Sequence, residues 1–131
     1  MAQPLSNALT AAADLSAAES AFSVLAGRVG LREVFRVTGA PGTVNTGGSA
    51  NPHFVVGPDS VAAAVSEGQG PAGSQLSWAS DRVIVAASGD LGVSIGFIVA
   101  PVAGGGVPNR IPVFTIWRRG AAGEPWLCVA E

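Results

Sequence analysis

The chain has few charged residues, one cysteine, one histidine and no tyrosine. Charged residues make up 12 % of its 131 residues and the formal net charge is −2, which argues against nucleic acid as a partner because neutralising phosphates requires a basic face. The lone cysteine, Cys128, excludes an internal disulfide and a cysteine-rich metal site. Its apolar surroundings, WLCVAE, indicate a buried small side chain rather than a nucleophile. We therefore expect no metal site and no cofactor.

Long apolar runs are absent as well. No segment reaches the ~18 apolar residues that a membrane-spanning helix needs. The first residues, MAQPLSNALTAAAD, lack the basic and apolar segments of an intact signal peptide. We expect a soluble protein without a membrane partner, either cytoplasmic or exported after removal of a signal peptide ahead of residue 2. Hydrophobic residues make up 48 %, which at this length predicts one domain with a substantial core, spanning residues 1–131.

Helices are predicted mainly in the first half of the chain. The motif SAAE, Ser16 to Glu19, has the form of a capping box, in which the two side chains bond the free N–H groups at a helix start. We therefore expect the first helix to begin at Ser16. Its apolar stripe consists of Leu15, Ala18, Phe22, Leu25 and Val29. Gly30 favours a stop, after which LREVFR predicts a short second helix, and PDSVAAAVSEG predicts a third that follows the brief strand HFVVG.

The second half of the chain is predicted to be sheet. The segments QLSWASDRVIVAAS, GVSIGFIVAP, IPVFTIWRRG and EPWLCVAE alternate with turns, which predicts antiparallel hairpins. The first turn is SGDLG, where Gly89 can adopt the positive φ that such a turn requires. Gly92 and Gly96 lie inside the next strand, where glycine marks a bend, a bulge or close approach by another element. Residues 38–52 are rich in glycine and proline and predict a loop with one short strand around Val44.

The order of these motifs resembles the SnoaL-like, ketosteroid-isomerase-like branch of the nuclear-transport-factor-2-like superfamily. SGDLGVSIG is similar to the pattern S-G-D-L-G-Y-T-x-G of that branch, with Val93 and Ser94 in the Tyr-Thr places. The strand ending in TIWRR, then a glycine turn, Trp126 and the acidic Glu131 match the remainder. The resemblance implies an α+β fold: a cone-shaped, strongly curved antiparallel sheet packed on N-terminal helices, a cystatin-like α+β barrel with a pocket between the layers. It also implies a homodimer.

The chemistry of ketosteroid-isomerase-like members does not transfer to this chain residue by residue. Those members pair a carboxylate base with hydroxyl or protonated-acid donors, whereas this chain has no tyrosine, and the segment APGTVNTGGSANP has no acidic residue. The catalytic residue is therefore unknown, and His53 is the one candidate acid or base. The side chains predicted to line the pocket are Phe22, Phe35, His53, Trp78, Ser94, Phe97, Phe114, Thr115 and Trp117. Which face of each strand points inward stays open, because a one-residue slip exchanges the faces.

Three functions remain open on this evidence. The first, which we favour because the catalytic set is missing, is a noncatalytic pocket protein that binds a small, mostly apolar ligand. The second is a lyase, isomerase or cyclase that acts on a small apolar carbonyl compound with His53 as acid or base. The third is a dimeric interaction module whose cavity is filled by side chains. A shared fold does not choose among them.

Overall fold

The computed structural model describes residues 3–46, 53–67 and 73–131, with side chains from residue 7 onward. Within those ranges the elements are, in chain order, the helices and strands α1 (Gln3–Val29), α2 (Leu31–Thr38), β1 (Gly39–Asn45), β2 (Val55–Val56), α3 (Pro58–Val65), β3 (Ser77–Val85), β4 (Leu91–Ala100), β5 (Asn109–Arg118) and β6 (Leu127–Ala130). The helices pack on one side of a curved, open sheet, which confirms the predicted α+β class. None of these helices is both long and apolar enough to cross a membrane.

The six described strands form one sheet in the order β2-β1-β6-β5-β4-β3. Strands β3, β4, β5 and β6 pair with one another in antiparallel fashion, as the short turns between them predicted. Strand β1 lies parallel to β6, so the sheet is mixed. The parallel pair places the chain that leaves α2 beside the last strand of the protein.

Strand β1 contains the short strand predicted around Val44 and extends it over much of the segment that was otherwise predicted as a loop. Its composition disfavours a strand, and its register against β6 shifts between Gly39 and Val44. Pairing with the C-terminal strand overrides that preference: the N–H of Glu131 donates to the Val44 carbonyl at 3.0 Å, and the N–H of Thr46 donates to the Glu131 carbonyl at 3.1 Å. Residues 47–52, the remainder of the predicted loop, lie outside the described residues.

The predicted helix start at Ser16 is wrong. Helix α1 begins at Gln3, and no glycine or proline interrupts the chain between residues 5 and 26. Ser16 and Glu19 therefore lie in the helix interior, where each N–H bonds a carbonyl one turn earlier and needs no cap. The apolar stripe is largely as predicted, although Val29 is exposed. Its fully buried members follow a 4-4-3-4 spacing that includes a carboxyl group: Ala11, Leu15, Glu19, Phe22 and Ala26.

Phe22 is the centre of the aromatic core. Its ring meets the rings of Phe35, Trp78 and Trp117 edge to face, with centroids 5.0, 5.0 and 5.4 Å apart. Such pairs add about 0.5–1.5 kcal/mol each beyond the area they bury. One phenylalanine of α1 thus joins α2, β3 and β5 and fixes the distance between the helices and the sheet.

Gly92 and Gly96 allow strand β4 to curve. A Cβ at Gly96 would collide with the backbone carbonyl of Ala79, beside the register shift of β3 between Ser80 and Arg82. A Cβ at Gly92 would lie 2.7 Å from a methyl carbon of Leu15 on α1. The predicted bulge and the predicted close approach are both confirmed, and together they let the sheet bend over the helix.

Arg119 holds the far corner of the sheet. Its Nε donates to the Gly89 carbonyl at 2.9 Å and its guanidinium pairs with Asp14 of α1 at 3.0 Å. The same guanidinium lies 4.4 Å from the ring centroid of Trp126, a cation–π contact. Residues of the motifs SGDLG, WRR and W therefore meet at one buried junction. At this junction the motif residues stabilise the fold and do not line the pocket.

Candidate functional site

A pocket of about 270 Å³ opens between the helices and the inner face of the sheet. That volume lies near the lower end of the range typical of small-molecule sites, roughly 300–1,000 Å³. Apolar side chains from every layer form most of its wall, and two carboxyl groups belong to it. The described residues that line it are Glu19, Leu31, Phe35, Asn45, Ala64, Val65, Leu76, Trp78, Ile98, Val113, Thr115 and Glu131.

Glu19 enters the pocket from α1 and is only 3 % exposed. Its Oε2 accepts a hydrogen bond from the hydroxyl of Ser94 at 2.6 Å and another from the indole N–H of Trp117 at 2.8 Å. Burial raises the pKa of this carboxyl, and the two hydrogen bonds oppose that shift. Both bonds end on Oε2, so Oε1 has no hydrogen-bond partner among the described residues.

Glu131 enters the same pocket from the end of β6. Its Oε2 accepts a hydrogen bond from the hydroxyl of Thr115 at 3.2 Å. Burial, followed by the negative charge of Glu19, raises the pKa of the Glu131 carboxyl to about 7, against a smaller opposing effect of the Thr115 bond. The two carboxyl groups therefore titrate as a coupled pair.

The hydrogen bonds show which member of the pair keeps its charge. Glu19 accepts from an indole N–H, which can only donate, and from a hydroxyl at short distance. Glu131 accepts one longer bond from a hydroxyl. Charged acceptors gain most from such donors, so these hydrogen bonds favour the charge on Glu19, whereas the pKa of Glu131 is raised to about 7. An ionised and a protonated carboxyl in one apolar pocket can accept from one ligand atom and donate to another.

No family model and no curated protein matches this chain. Solved structures do. An NTF2 protein named Rd1NTF2_05, carrying five substitutions, is 13 % identical, covers 91 % of this chain and 92 % of its own, and has a TM-score of 0.58. RV0760c from Mycobacterium tuberculosis in complex with estradiol-17beta-hemisuccinate is 18 % identical over 95 % of this chain and 89 % of its own, with a TM-score of 0.56. A computationally designed 17-OHP binder is 18 % identical over 95 % and 87 %, with a TM-score of 0.54.

The chain has the nuclear-transport-factor-2-like fold. Sequence identities of 13 to 18 % carry the fold and no chemistry. The site of this example of the fold therefore has to be understood from its own residues.

Five of the nine side chains predicted to line the pocket lie at it or directly behind it. Phe35, Trp78 and Thr115 belong to the wall. Ser94 and Trp117 lie one layer deeper, where both donate to Glu19.

The other four lie elsewhere. Phe22 is beneath the wall in the aromatic core. Phe97 and Phe114 are on the outer face of the sheet, because side chains alternate along a strand and their neighbours Ile98, Val113 and Thr115 face inward. Phe114 is 65 % exposed there.

His53, the candidate acid or base, is an exposed residue ahead of β2. It is not among the described residues that line the pocket. Its short strand lies at the edge of the sheet, next to β1, whereas the carboxyl pair sits over β5 and β6. The imidazole and the carboxyl groups are therefore held by different parts of the fold.

The sequence patterns do not identify either carboxyl group as a site residue. The motif SAAE predicts that Glu19 caps a helix, yet Glu19 falls between Leu15 and Phe22 on the buried stripe, and a carboxyl at a core position is the signal that identifies it. Glu131 enters the sequence patterns only as the acidic end of the family motif, and nothing in its local sequence predicts that it lines a pocket.

Two other predictions can be placed. Cys128 is buried as expected, and burial, with the charge of Glu131 next, raises the pKa of its thiol to about 12, so it is not a nucleophile near neutral pH. In the part of the chain that the structure describes, no three potential metal-ligating side chains cluster together.

Proposed function

We propose that this protein is a SnoaL-like pocket protein, one domain over residues 1–131, that binds a small, mostly apolar molecule with the polar end of that molecule at Glu19 and Glu131. The observation that supports this is an apolar pocket whose wall contains two carboxyl groups, that of Glu19, which is buried, and that of Glu131, which is half-buried. Burying a carboxyl costs free energy, so a cavity that served only as core would be more stable without either. RV0760c in complex with estradiol-17beta-hemisuccinate and the structure described as a designed 17-OHP binder support an apolar molecule as the probe.

A matched pair of substitutions on α3 tests the proposal. Ala64 lines the pocket, whereas its neighbour Ala63 is exposed. We expect 2-tetralone, a neutral bicyclic ketone, to bind the wild-type protein in isothermal titration calorimetry. Ala64→Phe fills the pocket and should abolish binding, and Ala63→Phe should preserve it. If 2-tetralone, 2-aminotetralin and estradiol all fail to bind, or if Ala64→Phe binds them as the wild type does, the proposal is wrong.

Acid–base catalysis on a small carbonyl compound is the second candidate, and the observation that favours it is the presence of two carboxyl groups in one apolar pocket. Glu19 would take a proton from the carbon next to the carbonyl, and Glu131 would donate a hydrogen bond to the carbonyl oxygen as charge develops there. The proton would return to a more distant carbon, which moves a double bond into conjugation with the carbonyl. Glu131, with its raised pKa, suits this role better than the exposed His53.

The test is the isomerisation of a β,γ-unsaturated ketone followed by ultraviolet absorbance. Catalysis by the pair predicts a rate that falls as pH rises above about 7 and that drops at least a hundredfold in Glu131→Gln, the range typical of a lost general acid or oxyanion donor. His53→Ala should leave the rate unchanged. The opposite result, a rate that depends on His53 and not on Glu131, would restore the histidine mechanism.

We further propose a homodimer that forms through the outer face of the sheet. Cross-strand neighbours there form an apolar patch, the outer patch, made of Ile84, Val93, Ile95, Phe114 and Ile116. Stable pairs usually bury more than about 1,000 Å². Sedimentation velocity at micromolar concentration should give a dimer, and Phe114→Lys should give a monomer. Val107→Lys, on an exposed loop, is the matched control, and a wild-type protein that sediments only as a monomer contradicts this proposal.

A further inference from the structure

The carboxyl pair has no cationic partner among residues 3–46, 53–67 and 73–131. Among the residues that the structure describes, the ion pairs join Arg36 to Glu33 and Arg119 to Asp14, and neither involves the pocket. No arginine or histidine lines the pocket in those same ranges, and the chain contains no lysine. Two carboxyl groups in an apolar wall are thus balanced only by hydroxyl and indole donors.

Such a pair is an incomplete arrangement. Buried charges in proteins are paired, because an isolated carboxylate in an apolar environment loses its hydration without compensation. Glu19 is 3 % exposed, it lines the pocket, and its Oε1 accepts from no described residue. A carboxyl group in the wall of a cavity that a second carboxyl group also lines favours a donor that carries positive charge.

We propose that the ligand of this pocket is a protonated amine on an apolar, ring-bearing skeleton, whose ammonium group donates to Oε1 of Glu19 and to the carboxylate of Glu131. This inference rests on the proposed binding function and narrows it to one ligand class. An ammonium group has up to three donors and one positive charge, so it satisfies both carboxyl groups at once. The apolar wall takes the rest of the molecule, with aromatic surface from Phe35 and Trp78 that suits both rings and cations.

The surroundings of the pair determine how this binding depends on pH. Among the described residues, the titratable groups at this place are the carboxyl groups of Glu19 and Glu131 and the thiol of Cys128. The pKa of that thiol is raised to about 12. The groups that face the pair from β4 and β5, Ser94 and Thr115, do not titrate in this range, nor does the Trp117 indole. The lining residues of α2 and α3 are apolar, and Asn45 of β1 is neutral.

The sign of the pH effect separates an amine from a ketone. An alkyl ammonium group, like lysine, titrates near 10 and stays charged at neutral pH. An amine prefers the fully ionised pair, so its affinity rises as pH increases through about 7, and its binding releases protons. A ketone needs the proton of Glu131 for its hydrogen bond, so its affinity falls over the same interval and its binding takes protons up.

Three probes of nearly equal shape test the inference: 2-aminotetralin, 2-tetralone and tetralin. We expect the amine to bind at least tenfold more tightly than the hydrocarbon at pH 8, as hydrogen bonds between charged groups allow. Calorimetry in phosphate and in Tris at pH 7, two buffers with different ionisation enthalpies, should show the release of up to about one proton on amine binding. This measurement uses the wild-type protein and needs no variant.

Glu131→Gln should lower the amine affinity about tenfold or more and leave the affinity for tetralin unchanged. Glu33→Gln removes an exposed carboxyl of α2 and is the matched control, which should change neither affinity. Proton uptake together with a preference for the ketone overturns the amine inference and leaves the proposed function in place, as does equal binding of all three probes. Failure of every probe overturns both.

Discussion

On strand β5, Thr115 and Trp117 are buried whereas their sequence neighbours Phe114 and Ile116 are 65 % and 41 % exposed. The inner face of this sheet therefore hides a hydroxyl and the outer face exposes a phenylalanine, the reverse of what hydropathy alone favours. Each inner polar group has a specific acceptor: Thr115 bonds Glu131, and Trp117 bonds Glu19. Thr115 and Trp117 are buried because their donors bond the carboxyl pair. The apolar side chains on the outer face, Phe114 and Ile116, are available to contact another molecule.

Trp117→Ala, on the inner face of β5, should cause the largest loss in the free energy of unfolding among these variants. It removes the largest fully buried side chain and one of the two donors to Glu19, and we expect a loss of about 3–5 kcal/mol in the free energy of unfolding. Chemical denaturation measures it. Phe114→Ala on the same strand is the control, with a loss of about 1 kcal/mol or less in the dilute monomer. Equal losses for the two variants would mean that the faces are assigned wrongly.

Glu131→Gln should change how the free energy of unfolding depends on pH. The carboxyl titrates near 4.5 when unfolded and about 7 when folded, so between these values the folded state binds more protons and the free energy of unfolding falls as pH rises. At about 1.4 kcal/mol per pKa unit, up to about 3 kcal/mol of stability present below pH 4.5 is lost by pH 8. The glutamine variant should lack this decline. Urea titrations of both proteins from pH 4 to pH 8 measure it, and parallel curves would contradict a buried Glu131.

Ser94→Ala should have an intermediate effect. It removes the short hydrogen bond to Glu19 from a buried position, which should cost about 1–3 kcal/mol and raise the pKa of Glu19 further. Thermal unfolding against Ser77→Ala, an exposed serine of β3, measures the cost. A change no greater than that of the control would show that the Ser94 hydroxyl does not support the carboxyl.

Ile116→Thr, in the outer patch, should have the smallest effect on the monomer. The side chain is 41 % exposed and threonine keeps the β-branched shape, so we expect a change of about 0.5 kcal/mol or less. The same substitution should weaken self-association in sedimentation velocity. A large loss of stability in the dilute monomer would show that Ile116 is a core residue and that the two faces of the sheet do not differ in burial.

Much of the fold could be predicted from local patterns. Alternation in IPVFTIW correctly separates Val113, Thr115 and Trp117 from the intervening residues, and glycines mark the places where β4 bends. Helix α2, with its buried Leu31, Val34 and Phe35, follows from spacing alone. These features depend on residues close together in the chain, and local propensity with periodicity is enough to encode them.

The candidate site could not be predicted in the same way. Alternation says that two faces exist but not which one meets the helix, so Phe97 and Phe114 were expected at the pocket and lie outside it. SAAE satisfies the capping pattern, yet the alanine-rich stretch before it continues the helix. Strand β1 exists because β6 pairs with it, an interaction that no window of local sequence contains.

Local sequence patterns are enough to predict the kinds of element, most of their order and the bends of the sheet. That Glu19 of α1 and Glu131, directly after β6, share one apolar pocket follows only from how the chain folds. The physical reason is that a carboxyl group's chemistry is set by desolvation and by its neighbours in space. Those neighbours here are donors from β4 and β5, brought together by the curvature of the sheet.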